Sequence, residues 1–318
     1  MKKIFVYLLL FFLFSCNRGN GENLHPFQKV DNYNGNVNSS IEERLLNTPP
    51  IIVDYLNEYD NVSIYSSYEL DNNEKQLFMD YFNIIPSKYR NIISEKVIGI
   101  YFINNFLGGG MTFPVFNNKG NMYIVLFFNP EILHQNITNW INYRDNSAFL
   151  NNRRVNIVVD CNSKYNALIH TLLHEASHVY DFYNFVTPYT EKFLENKKTI
   201  FPTEFVKGIW NDFDEPNKDF NFRNREKISF YGQGEKIDKM YAIELYDSLN
   251  NTPFSSLYAS KTWAEDFAEN FTWYYLKNYC ETDYNVEIIE RGKLIISYNP
   301  NDNDLVKKRY KIFEDIIK

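Results

Sequence analysis

His174-Glu175-Ala176-Ser177-His178 lies in the middle of an apolar segment, residues 165–183, in which leucine, alanine, valine and tyrosine recur at helical spacing. This spacing predicts an α-helix. Residues i and i+4 share one face of a helix, so the two imidazoles can bind one metal ion, with Glu175 close enough to contact a water on it. Two neutral nitrogen ligands, an open coordination position and a nearby carboxylate base are what zinc hydrolysis requires. The alternative is a surface helix that carries histidine by chance.

A third protein ligand is needed, because catalytic zinc sites usually have three. Glu265 is the first candidate, since it begins a second helical pattern, residues 263–271, whose core stripe is alanine and phenylalanine. A carboxylate beside buried aromatic side chains needs a partner, and a metal ion is a good one. Asp181 and Glu269 are the alternatives. Asp181 follows His178 on the same helix, whereas a tetrahedral site usually takes its third ligand from another element.

His170 lies one helical turn before His174, on the same face. A fourth protein ligand would close the coordination sphere and exclude water. We therefore interpret His170 as a structural histidine or as part of the wall of the cleft.

These two segments resemble the gluzincin zinc metallopeptidases, which carry HExxH on one helix and a zinc-binding glutamate on a second. The matching residues are His174, Glu175, His178 and the Glu-Asp-Phe-Ala-Glu run at 265–269. A narrower resemblance is to the anthrax lethal factor-like group and its secreted Pro-Pro endopeptidase relatives, because Tyr258 stands seven residues before Glu265. The resemblance covers residues 165–185 and 255–276.

The resemblance implies a site for one Zn²⁺ per chain, bound by His174, His178 and Glu265. It also implies that Glu175 takes a proton from the zinc-bound water and later passes it to the leaving amine. The 87-residue gap between His178 and Glu265 is longer than we expect in these relatives. An insertion within residues 186–257 would account for it.

Two further roles are implied by the resemblance. Tyr258 would donate a hydrogen bond to the oxyanion of the tetrahedral species. Glu269 would hold one of the ligand histidines in orientation. Tyr231 and Tyr241 are the alternatives to Tyr258 as this hydrogen-bond donor.

The N-terminus has the pattern of a bacterial lipoprotein signal. Met1-Lys2-Lys3 is followed by an apolar run, residues 4–14, and then by Ser15-Cys16. We expect residues 1–15 to be a signal peptide and Cys16 to carry lipid, which predicts export to the bacterial cell envelope. A plain signal peptide cut elsewhere is the alternative. Asn17 is not the acidic residue that often retains lipoproteins in the inner membrane, so an outer-membrane or surface location is favoured.

Charge and cysteine content limit the partners. The formal net charge is −7 and no cluster of lysine and arginine stands out, which argues against nucleic acid as a partner. Export permits a disulfide between Cys161 and Cys280, but two buried free thiols are an equally good interpretation.

We expect an α+β fold, with a zincin-like small mixed sheet packed on the HExxH helix and a mainly helical lobe after it. Residues 16–45, rich in asparagine and glycine, suggest a flexible tether. Residues 46–318 would form the metallopeptidase domain, with a sheet-bearing part at 46–185 and a helical part at 186–318. The predicted strands are residues 97–103, 112–116, 122–128 and 155–159, the second and third forming a hairpin, and Gly108-Gly109-Gly110 would be a flexible turn beside it.

The sequence as a whole predicts a lipid-anchored, zinc-dependent endopeptidase whose partners are a peptide or protein substrate and, through the lipid, a membrane. An extended peptide could add alongside residues 111–128. One alternative is a binding lipoprotein of the same fold without catalysis, although Glu175 would have no use there. Another is a zinc hydrolase that acts on a non-peptide amide, such as a bond of the cell wall.

Overall fold

A computed structural model describes residues 24–194, 201–232 and 234–318. The predicted signal peptide, residues 1–15, and the predicted lipidation site, Cys16, lie outside these ranges. Within them, no helix combines the length and the apolar character needed to cross a membrane.

The fold is mixed α+β, with small sheets and a helical lobe, as the sequence predicts. The helices are α1 Pro50–Tyr59, α2 Asn72–Ile84, α3 Ser87–Lys96, α4 Glu131–His134, α5 Ile137–Asn146, α6 Ala167–Asn184, α7 Tyr241–Leu249, α8 Trp263–Cys280, α9 Asp304–Lys307 and α10 Tyr310–Ile317. The strands are β1 Leu45–Leu46, β2 Ser66–Tyr68, β3 Val97–Asn104, β4 Gly110–Phe116, β5 Met122–Phe128, β6 Phe149–Leu150, β7 Val155–Asp160, β8 Trp210–Asp212, β9 Glu215–Pro216, β10 Ile237–Asp238, β11 Asn285–Glu290 and β12 Lys293–Tyr298.

The main sheet has the order β1-β3-β5-β4, with β2 also paired to β3. Strands β1 and β5 run parallel to β3, whereas β4 is antiparallel to β5 in a register that places Gly110 opposite Phe128. The predicted hairpin is therefore confirmed. Because β4 is the last strand in this order, it forms an edge of the sheet, and this edge lies beside α6.

Strand β3 is buried on both faces, which explains why it consists almost entirely of β-branched and aromatic residues, with Gly99 among them. Ile100 and Phe102 belong to the larger hydrophobic core, which α2, α3, α6 and α8 share. Tyr101 and Ile103 point to a smaller core on the opposite face. Side chains alternate across a strand, so one strand supplies both cores.

Residues 24–45 pack on both cores, Phe27 and Tyr33 on the smaller one and Ile41 and Leu45 on the larger one, so the prediction of a flexible tether is wrong for this part of residues 16–45. Phe27 and Tyr33 are 2% and 6% exposed. The Phe27 ring stacks on Tyr55 of α1 at a centroid distance of 4.6 Å and meets Phe113 of β4 at 4.5 Å. The segment is polar on average, but two spaced aromatic side chains are enough to attach it to the sheet.

A second sheet, with the antiparallel order β12-β11-β7, was not predicted beyond β7. Strands β11 and β12 form a hairpin whose turn, Arg291-Gly292, has positive φ values of 50° and 79°. Such a turn suits a two-residue hairpin. The hairpin joins the C-terminal part of the chain to β7 in the sheet-bearing part. Cys161 and Cys280 are both buried and free, so they are not bridged.

The packing of the N-terminal segment can be tested with Phe27→Ala. Removing this buried ring leaves a cavity between α1 and the sheet, and we expect the free energy of unfolding to fall by about 3–5 kcal/mol. Denaturant titration followed by circular dichroism measures this change. Asn34→Ala, at an exposed position of the same segment, should stay within about 0.5 kcal/mol of the wild type. Equal stability of Phe27→Ala and the wild type would contradict the packing.

Candidate metal centre

Helix α6 presents His174, Glu175 and His178 in the interior of the molecule. Most of the helix is buried, because α3, α5, α8 and β4 all pack against it. His174 and Glu175 are only 7% and 4% exposed. The i, i+4 spacing brings the two histidine Nε2 atoms to 3.2 Å from each other, as expected for one helical face.

Helix α8 brings Glu265 to the same point. Thr262 caps this helix, its hydroxyl accepting a hydrogen bond from the Glu265 backbone N–H at 3.1 Å. The neighbouring Asp266 is fully buried and accepts hydrogen bonds from Trp210 Nε1 at 2.8 Å and from Arg309 Nη2 at 2.7 Å. These contacts fix the first turn of α8, and with it the position of the Glu265 carboxylate.

Three ligand atoms converge on one point. Glu265 Oε2 lies 3.1 Å from His174 Nε2 and 3.6 Å from His178 Nε2. A tetrahedral ion with bonds of about 2.0–2.1 Å separates its ligand atoms by about 3.3 Å, so the observed spacings fit such an ion. Glu265 Oε2 is also buried without a well-aligned hydrogen-bond donor among the described residues. The three residues could therefore hold a metal ion, and the described residues contain no second group of this kind.

The Glu265 carboxylate and the imidazoles of His174 and His178 stabilise one another's charged forms. Burial alone would raise the pKa of Glu265, but His178 and His174 outweigh it and lower the pKa to about 2. Burial alone would lower the pKa of His174, but Glu265 and Glu269 outweigh it and raise the pKa to about 10. A metal ion replaces the imidazole protons when it binds, so its positive charge can then stabilise the Glu265 carboxylate in their place.

Glu175 is held beside the ligands by β4. Its Oε2 accepts a hydrogen bond from the Thr112 hydroxyl at 2.7 Å, which leaves Oε1 without this bond. Burial raises the pKa of Glu175, and His174 and His178 oppose the rise. A buried carboxylate with a raised pKa, next to a metal-ligating group, is suited to accept and return a proton.

The glycine triplet is not simply a turn beside the hairpin, because each of its residues makes room for a neighbour. Gly110 is the first residue of β4, and a Cβ there would lie 2.8 Å from both Cγ and Oε1 of Glu175. A Cβ at Gly109 would lie 3.1 Å from Thr171 Oγ1. Gly108 has a φ of +89° and lies under the ring of Tyr231. The triplet lets β4 approach α6 closely at the Glu175 carboxylate.

Glu269 lies on the opposite side of His174 from Glu265. Its Oε1 is 3.2 Å from His174 Nδ1 and 2.9 Å from Arg144 Nη1. Its Oε2 accepts hydrogen bonds from Ser256 Oγ at 2.7 Å and from Trp273 Nε1 at 3.2 Å. Burial alone would raise the pKa of Glu269, but Arg144 outweighs it and holds the pKa well below the usual range. An ionised carboxylate at this position orients the imidazole with Nε2 towards Glu265.

Of the other residues that the sequence singles out, Tyr258 lies near the three candidate ligands. Its ring is 5.8 Å from the His174 ring. His170 packs on Trp273 at 4.8 Å, and burial lowers its pKa to about 4, as suits a structural histidine. Asp181 accepts a hydrogen bond from the Thr187 backbone N–H at 2.7 Å, so it caps a chain segment. Tyr241 is 40% exposed at the start of α7.

Several residues of the site were not found from the sequence: Thr112, Arg144, Ser256 and Gly110. Arg144 and Ser256 carry no motif, and the helix that carries Arg144 was not predicted. The glycine triplet was the one available signal, since three consecutive glycines often mark a close approach of the backbone to another group.

Comparison with known proteins returned no match to this chain from family models, curated proteins or solved structures.

Zinc-affinity measurements on variants can distinguish the roles of Glu265 and Glu269, the two carboxylates on α8. We expect Glu265→Gln to lower zinc affinity more than Glu269→Gln, because Glu265 would be a ligand whereas Glu269 only orients His174. For Glu269→Gln a loss of about 10–100-fold is expected. Competition with a chromophoric chelator measures both, and Glu287→Gln, an exposed carboxylate on β11, is the matched control. Wild-type affinity in Glu265→Gln would exclude this residue as a ligand.

Proposed function

We propose that this protein is a zinc-dependent endopeptidase. The observation that carries the proposal is the convergence of His174 Nε2, His178 Nε2 and Glu265 Oε2, with the Glu175 carboxylate next to them. The choice of zinc rests on the donor set, since two imidazoles and one carboxylate with an open position are typical of catalytic zinc. Zinc bound there would polarise a scissile carbonyl and lower the pKa of a water towards ~7.

The chain's own residues would carry the proton and hold the substrate. Glu175 Oε1 would accept a proton from the attacking water and pass it to the leaving amine, while Thr112 keeps Oε2 in place. Tyr258 would donate a hydrogen bond to the oxygen of the scissile carbonyl. Its pKa is raised well above the usual value by burial, so the hydroxyl stays protonated.

An extended peptide is the substrate that the free part of the sheet edge fits best. Strand β4 lies at the edge of the main sheet; within the described ranges β5 is its one strand partner, and an isolated bridge from Lys29 to Phe116 covers only the end of β4. Such an edge can pair with a peptide backbone. Thr112 and Gly110 link this strand to Glu175, so a peptide paired with β4 would pass close to the carboxylate. Export and lipid attachment at Cys16 remain predictions from the sequence.

The decisive test is hydrolysis of a broad peptide library by the zinc-loaded protein and by Glu175→Gln. We expect kcat/KM to fall by about 10²–10⁴-fold in the variant, because the proton acceptor is lost, with zinc content unchanged. Glu287→Gln should keep wild-type activity. A zinc-loaded wild type without peptide hydrolysis would contradict the proposal and favour a binding role. Cleavage of peptidoglycan alone would favour a cell-wall amide.

The close approach of β4 to Glu175 gives a second test, Gly110→Ala. The added Cβ would lie 2.8 Å from the carboxylate, which must then move. We expect a loss of about 10²-fold in kcat/KM at unchanged zinc affinity, since a displacement of this size misplaces the base. Lys119→Ala, at an exposed position in the turn of the same hairpin, is the control. Equal activities of the two variants would show that the approach has no catalytic role.

A further inference from the structure

A small cavity adjoins the candidate metal centre. Its volume is about 30 Å³, enough for one water or one oxygen-sized group. His174 and Glu175 line it on the side of α6, and Tyr231, Tyr258 and Arg144 also contribute to its wall. The proposed mechanism uses His174, Glu175 and Tyr258 but gives Tyr231 no role.

Tyr231 is half-buried in the wall of this cavity. Burial raises the pKa of Tyr231 above its usual value, so its hydroxyl remains a donor throughout the working pH range. Its backbone has a φ of 57°, a conformation that is unusual for a bulky residue and persists only when the surroundings enforce it.

Neighbouring residues hold the Tyr231 backbone in this conformation. The Tyr231 backbone N–H donates to Ser147 Oγ at 2.6 Å, and its carbonyl accepts from Lys236 Nζ at 2.7 Å. The ring covers Gly108, where a Cβ would lie 3.4 Å from it, and it packs against Trp140 at a centroid distance of 6.3 Å. The side chain of Tyr231 is therefore held in place through both its backbone and its ring.

The charges around the cavity favour a neutral acceptor over a carboxylate. Arg144 lines the cavity, and Asp145 and Glu269 already bind its Nε and Nη1 atoms, each at 2.9 Å, which leaves Nη2 without a well-aligned partner among the described residues. Glu175 and Glu265 add negative charge. Four carboxylates therefore surround one guanidinium, so a peptide carbonyl oxygen, which brings no net charge, is a better acceptor here than a further carboxylate.

We infer that Tyr231 is a second hydrogen-bond donor to the scissile carbonyl oxygen, acting beside Tyr258. Both tyrosines line the one cavity, which has the size of that oxygen and adjoins the metal ligands. Tyr231 makes no covalent bond and transfers no proton; it donates one hydrogen bond that strengthens as negative charge develops on the oxygen. This assignment rests on the proposed endopeptidase function and extends it by naming a residue that contacts the substrate.

The test compares Tyr231→Phe with Tyr143→Phe, a neighbouring tyrosine of the same aromatic cluster that is 51% exposed and does not line the cavity. We expect kcat of Tyr231→Phe to fall by about 10²-fold with KM and zinc content little changed, because the bond forms in the transition state. Tyr143→Phe should behave as the wild type. Wild-type kcat in Tyr231→Phe would overturn the assignment.

A second measurement separates this inference from the proposed function. A phosphinic peptide, built on the best substrate of the library or otherwise on a generic apolar peptide, imitates the tetrahedral species and can be titrated against the zinc-loaded protein without turnover. We expect Tyr231→Phe to weaken its binding by about 10²-fold. Equal affinity of the variant and the wild type would overturn the role of Tyr231, even if the wild type hydrolyses no peptide. Absence of hydrolysis in the wild type would instead count against the proposed function.

Discussion

The burial of the Glu269 carboxylate is the interaction on which the site depends. An unpaired charge at such a depth destabilises a protein by several kcal/mol, so its partners must be in place when the chain folds. Arg144 comes from α5, His174 from α6, Ser256 from the loop before α8, and Trp273 from α8 itself. One carboxylate therefore connects three helices and a loop, and it sets the orientation of the His174 imidazole, a ligand of the proposed metal centre.

Glu265 and Glu269 stand one turn apart on the same helix, yet their surroundings are opposite. Glu269 contacts donors from four residues, whereas Glu265 Oε2 is buried without a well-aligned donor. A saturated carboxylate has no free lone pair for a metal ion, and an unsaturated one beside two imidazole nitrogens does. This difference distinguishes Glu265, the proposed metal ligand, from Glu269, the residue that orients His174. Sequence spacing alone gives both residues the same apolar helical context.

The sequence predicts what depends on local periodicity, and it fails where contacts join distant segments. The helix of His174 and the hairpin at 110–128 follow from spacing within a few residues. Thr112 meets Glu175 across 63 residues and Arg144 meets Glu269 across 125, and no pattern in the chain marks either pair. The tether prediction fails for a related reason, because average polarity hides single anchoring side chains such as Phe27.

Buried polar atoms without a well-aligned partner lie at the candidate centre, and they have a consequence for stability. Glu265 Oε2 and Arg144 Nη2 are both buried in this way among the described residues. Each such group lowers stability by about 1–3 kcal/mol unless a ligand satisfies it. A metal ion that binds only the folded chain would stabilise it by mass action. The Glu265 oxygen that weakens the fold is thus the one that would bind a metal ion, so stability and the proposed function would oppose each other at this position.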